Sequence, residues 1–187
     1  MIITYHGESF VKVQHGDLAV VWNPIGKVGQ MRIGGKDPFV INGPGEYEVS
    51  NVFVCGFGVP GPKETINSIY LLALDGLRLL HWGVMIEDKI PESVMSDVGE
   101  VDILFVPLTN LPSAFGEGGL VLSPTLAYRL ALTFQPKIII PLSESESVLR
   151  QFLKEADAEK VGPIDKLVLK KKDVLEKEGE IVVLKAI

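Results

Sequence analysis

Short runs of apolar, β-branched and aromatic residues fill the first half of the chain, and glycine or proline separates most of them. Several runs alternate apolar and polar residues, which is the pattern of a strand with one buried face. The pattern predicts strands at residues 2–5, 10–14, 18–22, 39–42, 47–49 and 52–56. Two more, at 68–74 and 77–81, flank Asp75-Gly76, a pair that suits a two-residue hairpin turn.

The second half of the chain combines helical spacing with fully apolar strands. A short helix is predicted at 92–97, and a longer one begins at Ser123-Pro124, after which apolar residues recur at helical intervals. Ser143 and Glu146 have the spacing of a capping box, which predicts a third helix. Buried strands are predicted at 102–108 and 137–142, and two final strands at 166–170 and 181–185. Strands followed by helix-strand alternation predict a layered α/β sandwich.

Two glycine-rich segments need a separate interpretation. Gly56-Phe57-Gly58-Val59-Pro60-Gly61 has the spacing of a dinucleotide-binding fingerprint, but no helix begins after it to hold the pyrophosphate. A plain glycine turn is the prediction there. Gly116-Glu117-Gly118-Gly119 lacks the lysine and hydroxyl residue that complete a phosphate-binding loop, so we interpret it as a flexible loop.

Length and composition limit the classes of protein to which the chain can belong. Its 187 residues suit one domain spanning 1–187, and its apolar runs are too short to cross a membrane. A net charge of −6 gives no general attraction to nucleic acid. The first residues lack the features of a secretory signal, which predicts a cytoplasmic location. Cys55 is the only cysteine, so no intrachain disulfide and no cysteine-rich zinc site can form.

Few side chains could carry out chemistry. The three histidines, His6, His15 and His81, are widely separated in sequence, and each alone is more simply explained as a hydrogen-bonded structural residue. No Gly-x-Ser-x-Gly elbow is present, and the serines from 143 to 147 suit helix capping better than nucleophilic catalysis. The residues alone therefore predict neither a metal centre nor a serine hydrolase.

Several blocks together resemble one known family. They are Ile2-Ile3-Thr4-Tyr5-His6-Gly7-Glu8-Ser9-Phe10, Phe39-Val40-Ile41-Asn42-Gly43-Pro44-Gly45-Glu46-Tyr47-Glu48-Val49, Leu77-Arg78-Leu79-Leu80-His81-Trp82-Gly83, residues 101–107 and residues 136–141. In order and spacing they resemble small bacterial hydrolases of the metallo-β-lactamase fold, related to its lactonase-type enzymes. The resemblance implies an αββα sandwich with one or two metal ions, zinc as a rule, along one edge, and a metal-bound water as nucleophile.

The family's metal-ligand positions can be compared with this chain one by one. Where the resemblance implies a His-x-His-x-Asp-His loop, residues 23–37 contain no histidine, and residues 58–67 lack the histidine usual after the glycine-bearing strand. His81-Trp82-Gly83-Val84 stands for the family's His-Leu-Gly-Asp, so Val84 replaces the bridging aspartate. Pro141-Leu142-Ser143 stands for Pro-Met-His. We therefore expect no cofactor: zinc is expected for the family, but its ligands are absent.

The connection between Pro24 and Pro38 looks too short for the strand and helix usual in the family, which would make the sandwich truncated between its early strands. Such a loss would uncover part of a sheet and leave an edge strand without a partner. Open edges and uncovered apolar faces are common starting points for association. We expect a homo-oligomer or a complex with a protein partner around this segment.

Three functions remain open from the sequence. The first is a non-catalytic, metal-free structural or interaction protein on a metallohydrolase scaffold. The second is a hydrolase with an altered site near the former pocket, for which the candidate residues are His6, Glu46, His81, Asp88 and Ser143. The third, nucleic-acid binding on the remnant cleft, is opposed by the charge.

Overall fold

The computed structural model describes residues 1–22, 30–34, 36–61, 64, 66–83, 85–87, 89–108 and 122–187. In these parts the chain forms two stacked β-sheets with helices packed mainly on one of them. No described helix is long and apolar enough to span a bilayer. The elements are β1 (Ile2–Tyr5), β2 (Val11–His15), β3 (Leu18–Trp22), β4 (Met31–Ile33), β5 (Phe39–Ile41), β6 (Gly45–Val49), β7 (Val52–Pro60), β8 (Ile66–Leu74), β9 (Leu77–His81), α1 (Glu92–Val98), β10 (Ile103–Pro107), α2 (Pro124–Thr133), β11 (Ile138–Leu142), α3 (Glu146–Glu155), β12 (Leu167–Val168), α4 (Lys171–Leu175) and β13 (Glu180–Ile181).

The first sheet is antiparallel and has the strand order β12-β1-β2-β3-β4-β5. Alternate residues of its strands point into the space between the sheets, as the period of two requires. One row of paired residues crosses the sheet at one end. It consists of Tyr5, Val11, Trp22, Met31 and Ile41, all of them fully or almost fully buried.

The second sheet has the order β13-β11-β10-β9-β8-β7-β6. Strands β6 to β9 are antiparallel, whereas β9, β10, β11 and β13 run parallel. Of these, β9, β10 and β11 are largely buried on both faces because α1, α2 and α3 pack on the side away from the first sheet. The asymmetry explains why residues 103–107 and 138–142 read as continuous apolar runs.

Two apolar layers hold the sandwich together. The inner layer lies between the sheets and includes Ile3, Val20, Leu72 and Phe105. The outer layer lies between the second sheet and the helices, where Phe152 of α3 is fully buried. Both layers follow from the strand and helix periodicities in the sequence, and the α/β sandwich of the metallo-β-lactamase type is confirmed.

The hairpin at Asp75-Gly76 is also confirmed, with both residues at positive φ and Leu74 paired with Leu77. The early connection differs from the prediction. Strand β4 lies within it and pairs with both β3 and β5, so β3 keeps a neighbour. The described residues of that connection contain no helix. In the described structure the outer strands of this sheet are β12 and β5, and β5 is the one that follows the early connection.

The prediction of a turn at Gly56 to Gly61 is wrong. Gly56 and Gly58 lie inside β7 and pair in register with β8. They are glycines because the loop before β6 crosses them closely: a Cβ on Gly56 would lie 3.0 Å from the carbonyl oxygen of Gly43. Close approach of backbone to a strand is the usual reason for glycine in a strand interior.

Several predictions in the second half need smaller corrections. The cap of α3 is Ser145, whose Oγ accepts the amide N–H of Val148, and not Ser143. The last two strands are only two residues each and are therefore shorter than predicted. Helix α4 was not predicted; it begins at the lysine run and is held at its start by Asp173, which accepts the amide N–H of Lys170.

A polar cluster ties together the N-terminal ends of the parallel strands, and we call it the Asp102 bracket. Asp102 is buried, and its carboxylate accepts the amide N–H of Arg78 at 2.8 Å and pairs with the Lys137 ammonium group. The Arg78 guanidinium donates to the carbonyl oxygens of Glu100 and Val98 at the end of α1. The Asp102 bracket therefore fastens β9, β10, β11 and α1 to one another.

Candidate functional site

The opposite end of the sandwich is where the family's chemistry would be expected, and we call it the site edge. It comprises the loops at residues 6–10, 42–44, 82–87 and 143–145, as far as the structure describes them. The parallel strands β9, β10 and β11 end here, on the same side as the row from Tyr5 to Ile41. Three of the sequence candidates, His6, His81 and Ser143, lie at this edge.

His81 is the last residue of β9, and its side chain is buried between the sheets. Its Nδ1 accepts the amide N–H of Gly83 at 3.1 Å, and its Nε2 lies 3.1 Å from the carbonyl oxygen of Ser9. A carbonyl oxygen can only accept, so Nε2 carries the proton. Burial lowers the pKa of His81 to about 4, which keeps the ring neutral. Both ring nitrogens are therefore already used.

His6 follows β1 and is half-buried. Its Nε2 is hydrogen-bonded to Thr4 Oγ1 at 3.0 Å, and its ring stacks on Phe10 with the centroids 4.7 Å apart. Burial, followed by the positive charge of Lys12, lowers its pKa. These contacts hold the imidazole against its own hairpin. The prediction of a hydrogen-bonded histidine is confirmed for His6.

The turn after His81 explains why its sequence resembles the family block. Gly83 has φ +65°, and a Cβ there would lie 2.5 Å from Asn67 Oδ1 and 2.9 Å from the carbonyl oxygen of Ser68. Asn67 in turn donates from Nδ2 to the carbonyl oxygen of Trp82 at 3.1 Å. The histidine and the glycine of this block thus form a buried turn that is held by contacts within the chain.

Ser143 and Glu144 follow β11. Ser143 Oγ is hydrogen-bonded to the backbone of Ser145, accepting its N–H at 3.2 Å. Glu144 is exposed, and its Oε2 accepts the amide N–H of Glu8 at 3.0 Å, which connects the loops after β1 and β11. Burial raises the pKa of Tyr5, and the carboxylates of Glu144 and Glu8 raise it further. The polar side chains after β11 therefore hold their own loop together and connect it to the loop after β1.

Among the described candidates, Glu46 is placed differently from His6, His81 and Ser143. Glu46 lies on β6 and lines a different pocket, on the outer face of the second sheet, with Cys55 and Asp97. Asp88, Val84 and Gly116 to Gly119 lie outside the described residues. His15 is the last residue of β2, and its Nδ1 lies 3.6 Å from Asp75 Oδ2. Cys55 lies in a strand as predicted but is only partly buried.

The residues of the site edge do not fit a zinc ion. Zinc needs about four nitrogen, sulfur or oxygen donors converging on one point. In the described parts of the chain no three histidine, cysteine, aspartate or glutamate side chains are close enough to hold a metal. Below the edge, Trp22, His81 and Phe105 pack against one another with ring centroids 5.6 to 6.1 Å apart. The buried Nε1 of Trp22, which has no hydrogen-bond partner, is an N–H donor and cannot ligate a cation.

The fold and this edge define a metallohydrolase-type sandwich, and comparison with known proteins specifies the family. The family model described as "Beta-lactamase superfamily domain" matches residues 33–143, more than half of the chain. The chain therefore belongs to the β-lactamase superfamily. Comparison with curated protein sequences finds no match.

Two solved structures are similar to the chain. One is a metallo-β-lactamase superfamily protein from Thermotoga maritima, with 22% identity and a TM-score of 0.74, over 98% of this chain and 97% of that one. The other is a metallo hydrolase from the archaeon Ignicoccus hospitalis, with 11% identity and a TM-score of 0.56, over 90% of this chain and 99% of that one. At these identities the likeness shows the fold.

Sequence reasoning missed the residues that position the candidates. Thr4, Ser9, Asn67 and Glu144 hold the loops or the imidazoles of the site edge. Ser9 acts through its carbonyl oxygen, which leaves no signal in the sequence. Thr4 and His6 are two residues apart at the end of β1, so their contact could have been anticipated if the extended backbone had been continued to His6.

Proposed function

We propose that this chain is a non-catalytic, metal-free member of its superfamily that acts as a structural or interaction protein. The observation that carries the proposal is that both ring nitrogens of His81 are hydrogen-bonded within the chain. This imidazole lies at the site edge, yet its two nitrogens bind Gly83 and Ser9 of the same chain. Ligation would require breaking one of these hydrogen bonds in a buried environment, which costs about 1–3 kcal/mol for the group left unpaired.

The missing partners for a metal ion support the same proposal. Val84 and Ser143 stand where the family has an aspartate and a histidine ligand, and neither an alkyl group nor a backbone-bound hydroxyl replaces a carboxylate or an imidazole. The polar residues that remain at the site edge stabilise turns and loop contacts. A scaffold that keeps its fold while its polar groups bind its own backbone suits a structural role.

Metal content and hydrolysis test this proposal together. Protein purified without a histidine tag is dialysed against zinc, iron or manganese, desalted and measured by elemental analysis. We expect well below one equivalent of metal per chain, and no turnover of phosphodiester, lactone or ester substrates. One tightly bound equivalent would contradict the metal-free proposal. Turnover that depends on His6 or Ser143 would favour the hydrolase with an altered site.

Strand β5, one of the two outer strands of the first sheet, is a candidate surface for an interaction role. In the described structure β5 has a neighbour only on one side, and Phe39 and Val40 on this strand are 49% and 39% exposed. An edge strand with exposed apolar residues is a favourable site for association. We propose that a second copy of the chain, or another subunit, covers this edge.

Solution mass tests the role of this edge. We expect the chain to run above its monomer mass at micromolar concentration, or to associate when its partner is added, and Val40→Lys to abolish the association. Leu132→Lys on α2 is the matched control, because Leu132 is 46% exposed but lies on a helix. A compact monomer with no partner, or equal effects of the two substitutions, would contradict the proposal.

A further inference from the structure

A second pocket lies on the outer face of the second sheet, away from the site edge. It has a volume of about 410 Å³, near the lower end of the range for small-molecule sites. It is formed where α1 stops covering the sheet, beside strands β6, β7 and β8. Its lining residues are Glu46, Phe53, Cys55, Phe57, Leu71, Ala73, Arg78 and Asp97.

Five of the eight lining side chains are apolar, although the exposed lining of the pocket as a whole is more polar than apolar. Leu71 is buried, Cys55, Ala73 and Phe57 are half-buried, and Phe53 is 45% exposed at the rim. The two phenylalanines are on one strand with Cys55 between them, so their rings lie on the same face of the sheet. An apolar group of a few carbon atoms entering here would be removed from water by aromatic and aliphatic side chains.

The charges around the pocket are predominantly negative. The carboxylates of Glu46 and Asp97 are exposed at the rim, on β6 and α1 respectively. Arg78 is the only cation among the described residues that line it, and this guanidinium already donates to the carbonyl oxygens of Glu100 and Val98. Burial raises the pKa of the Cys55 thiol, and the carboxylates of Glu46 and Asp97 raise it further. Arg78 has the opposite effect, which is smaller.

We propose that this pocket binds a small organic cation with an apolar body, of the primary alkylammonium class. The alkyl chain would lie against Phe53, Phe57 and Leu71, while the ammonium group would remain at the rim between Glu46 and Asp97. Anions are disfavoured by the same two carboxylates. This inference goes beyond the proposed function, because it concerns another face of the molecule and needs no metal.

The test uses hexylammonium as the probe, with hexanol and hexanoate as matched ligands of the same chain length. Binding is measured by calorimetry and by amide chemical-shift changes in the full chain. We expect millimolar binding of hexylammonium, roughly fivefold tighter than that of hexanol, and no binding of hexanoate. The shifts should centre on Cys55, Leu71 and Ala73. Equal affinity for hexanol, or shifts elsewhere, would overturn the proposal.

Charge variants identify which groups attract the cation. Glu46→Gln and Asp97→Asn should each weaken hexylammonium binding by roughly two- to fivefold, as expected for exposed ion pairs, and leave hexanol binding unchanged. Glu48→Gln is the matched control, because Glu48 is an exposed glutamate on the same strand outside the pocket. All three side chains are exposed, so the variants should fold normally. Equal losses in Glu48→Gln and Glu46→Gln would show a general charge effect and overturn the site.

Discussion

The two ends of the parallel strands use their polar side chains in different ways. At the Asp102 bracket a buried carboxylate, an ammonium group and a guanidinium fasten three strands and a helix. At the site edge the imidazoles are neutral or biased toward neutrality, and they bind the backbone or hydroxyl groups of their own chain.

Polar side chains at the strand ends of such a sandwich can have two different roles. A buried charge at the bracket end has an immediate structural partner, so nothing else is needed to explain it. The site edge of a metallohydrolase would instead collect polar groups that point at a common ligand. Here the side chains of His6, His81, Ser143 and Glu144 are instead hydrogen-bonded to groups of their own chain.

The largest effect should come from breaking the Asp102 bracket. Asp102→Ala leaves the Lys137 ammonium group and the Arg78 amide without their partner in a mostly buried place, which should lower the free energy of unfolding by about 3–5 kcal/mol. Chemical denaturation measures the change. Asp165→Ala is the control, because its ion pair with Lys185 is exposed and should contribute less than about 1 kcal/mol. Similar losses in both variants would show that the bracket is unimportant.

The next effect is a pH dependence that originates at the site edge. His81 has a pKa of about 4 in the folded chain and an ordinary value of 6.5, so the unfolded chain binds more protons between these values. Stability should therefore fall as the pH is lowered from about 6.5 to about 4, by up to about 3 kcal/mol from this group.

Denaturation at several pH values in the native chain and in His81→Leu isolates this contribution. The variant should be less stable near neutral pH, since Gly83 and Ser9 lose their partner, but its slope in that pH window should be shallower. If the two slopes are identical, His81 is not the buried neutral group described above.

A smaller effect should distinguish backbone strain from steric contact in the turn after β9. Gly83→Ala should cost about 2 kcal/mol or more, because it combines a left-handed φ with overlap against Asn67 and Ser68. Gly16→Ala has nearly the same φ and no neighbour within 4 Å, so it should cost only the conformational part, about 1 kcal/mol. Thermal unfolding of both variants measures the difference. Equal costs would remove the packing role of Gly83.

Much of the fold was predictable from periodicity. Strands β1, β3 and β9 begin and end where they are predicted, because each is a run of apolar residues with clear turn residues beside it. Strand β4 was missed because Met31-Arg32-Ile33 is too short for a periodic signal. The turn wrongly predicted at Gly56 follows from reading glycine as a local preference, when the cause is a loop that crosses it from another part of the chain.

The candidate site was only partly predictable. The absence of a histidine-rich loop can be read directly from the sequence, and so can the replacement at Val84. The partners of His81 could not be predicted, because one is a carbonyl oxygen 72 positions away. The position of Glu46 at the outer pocket could not be predicted, because a block that matches a family in sequence does not reveal which face of the sheet a side chain occupies.

The pairing of β1 has a consequence for how the molecule assembles on the ribosome. Ile2 pairs with Gln14 on one side and with Val168 on the other, and the amide of Ile187 donates to the carbonyl oxygen of Tyr5. The second neighbour of β1 is therefore synthesised long after β1 and β2. Contacts so distant in sequence form late and slow folding. Until then the backbone of β1 on that side is unprotected, which exposes the nascent chain to intermolecular strand pairing.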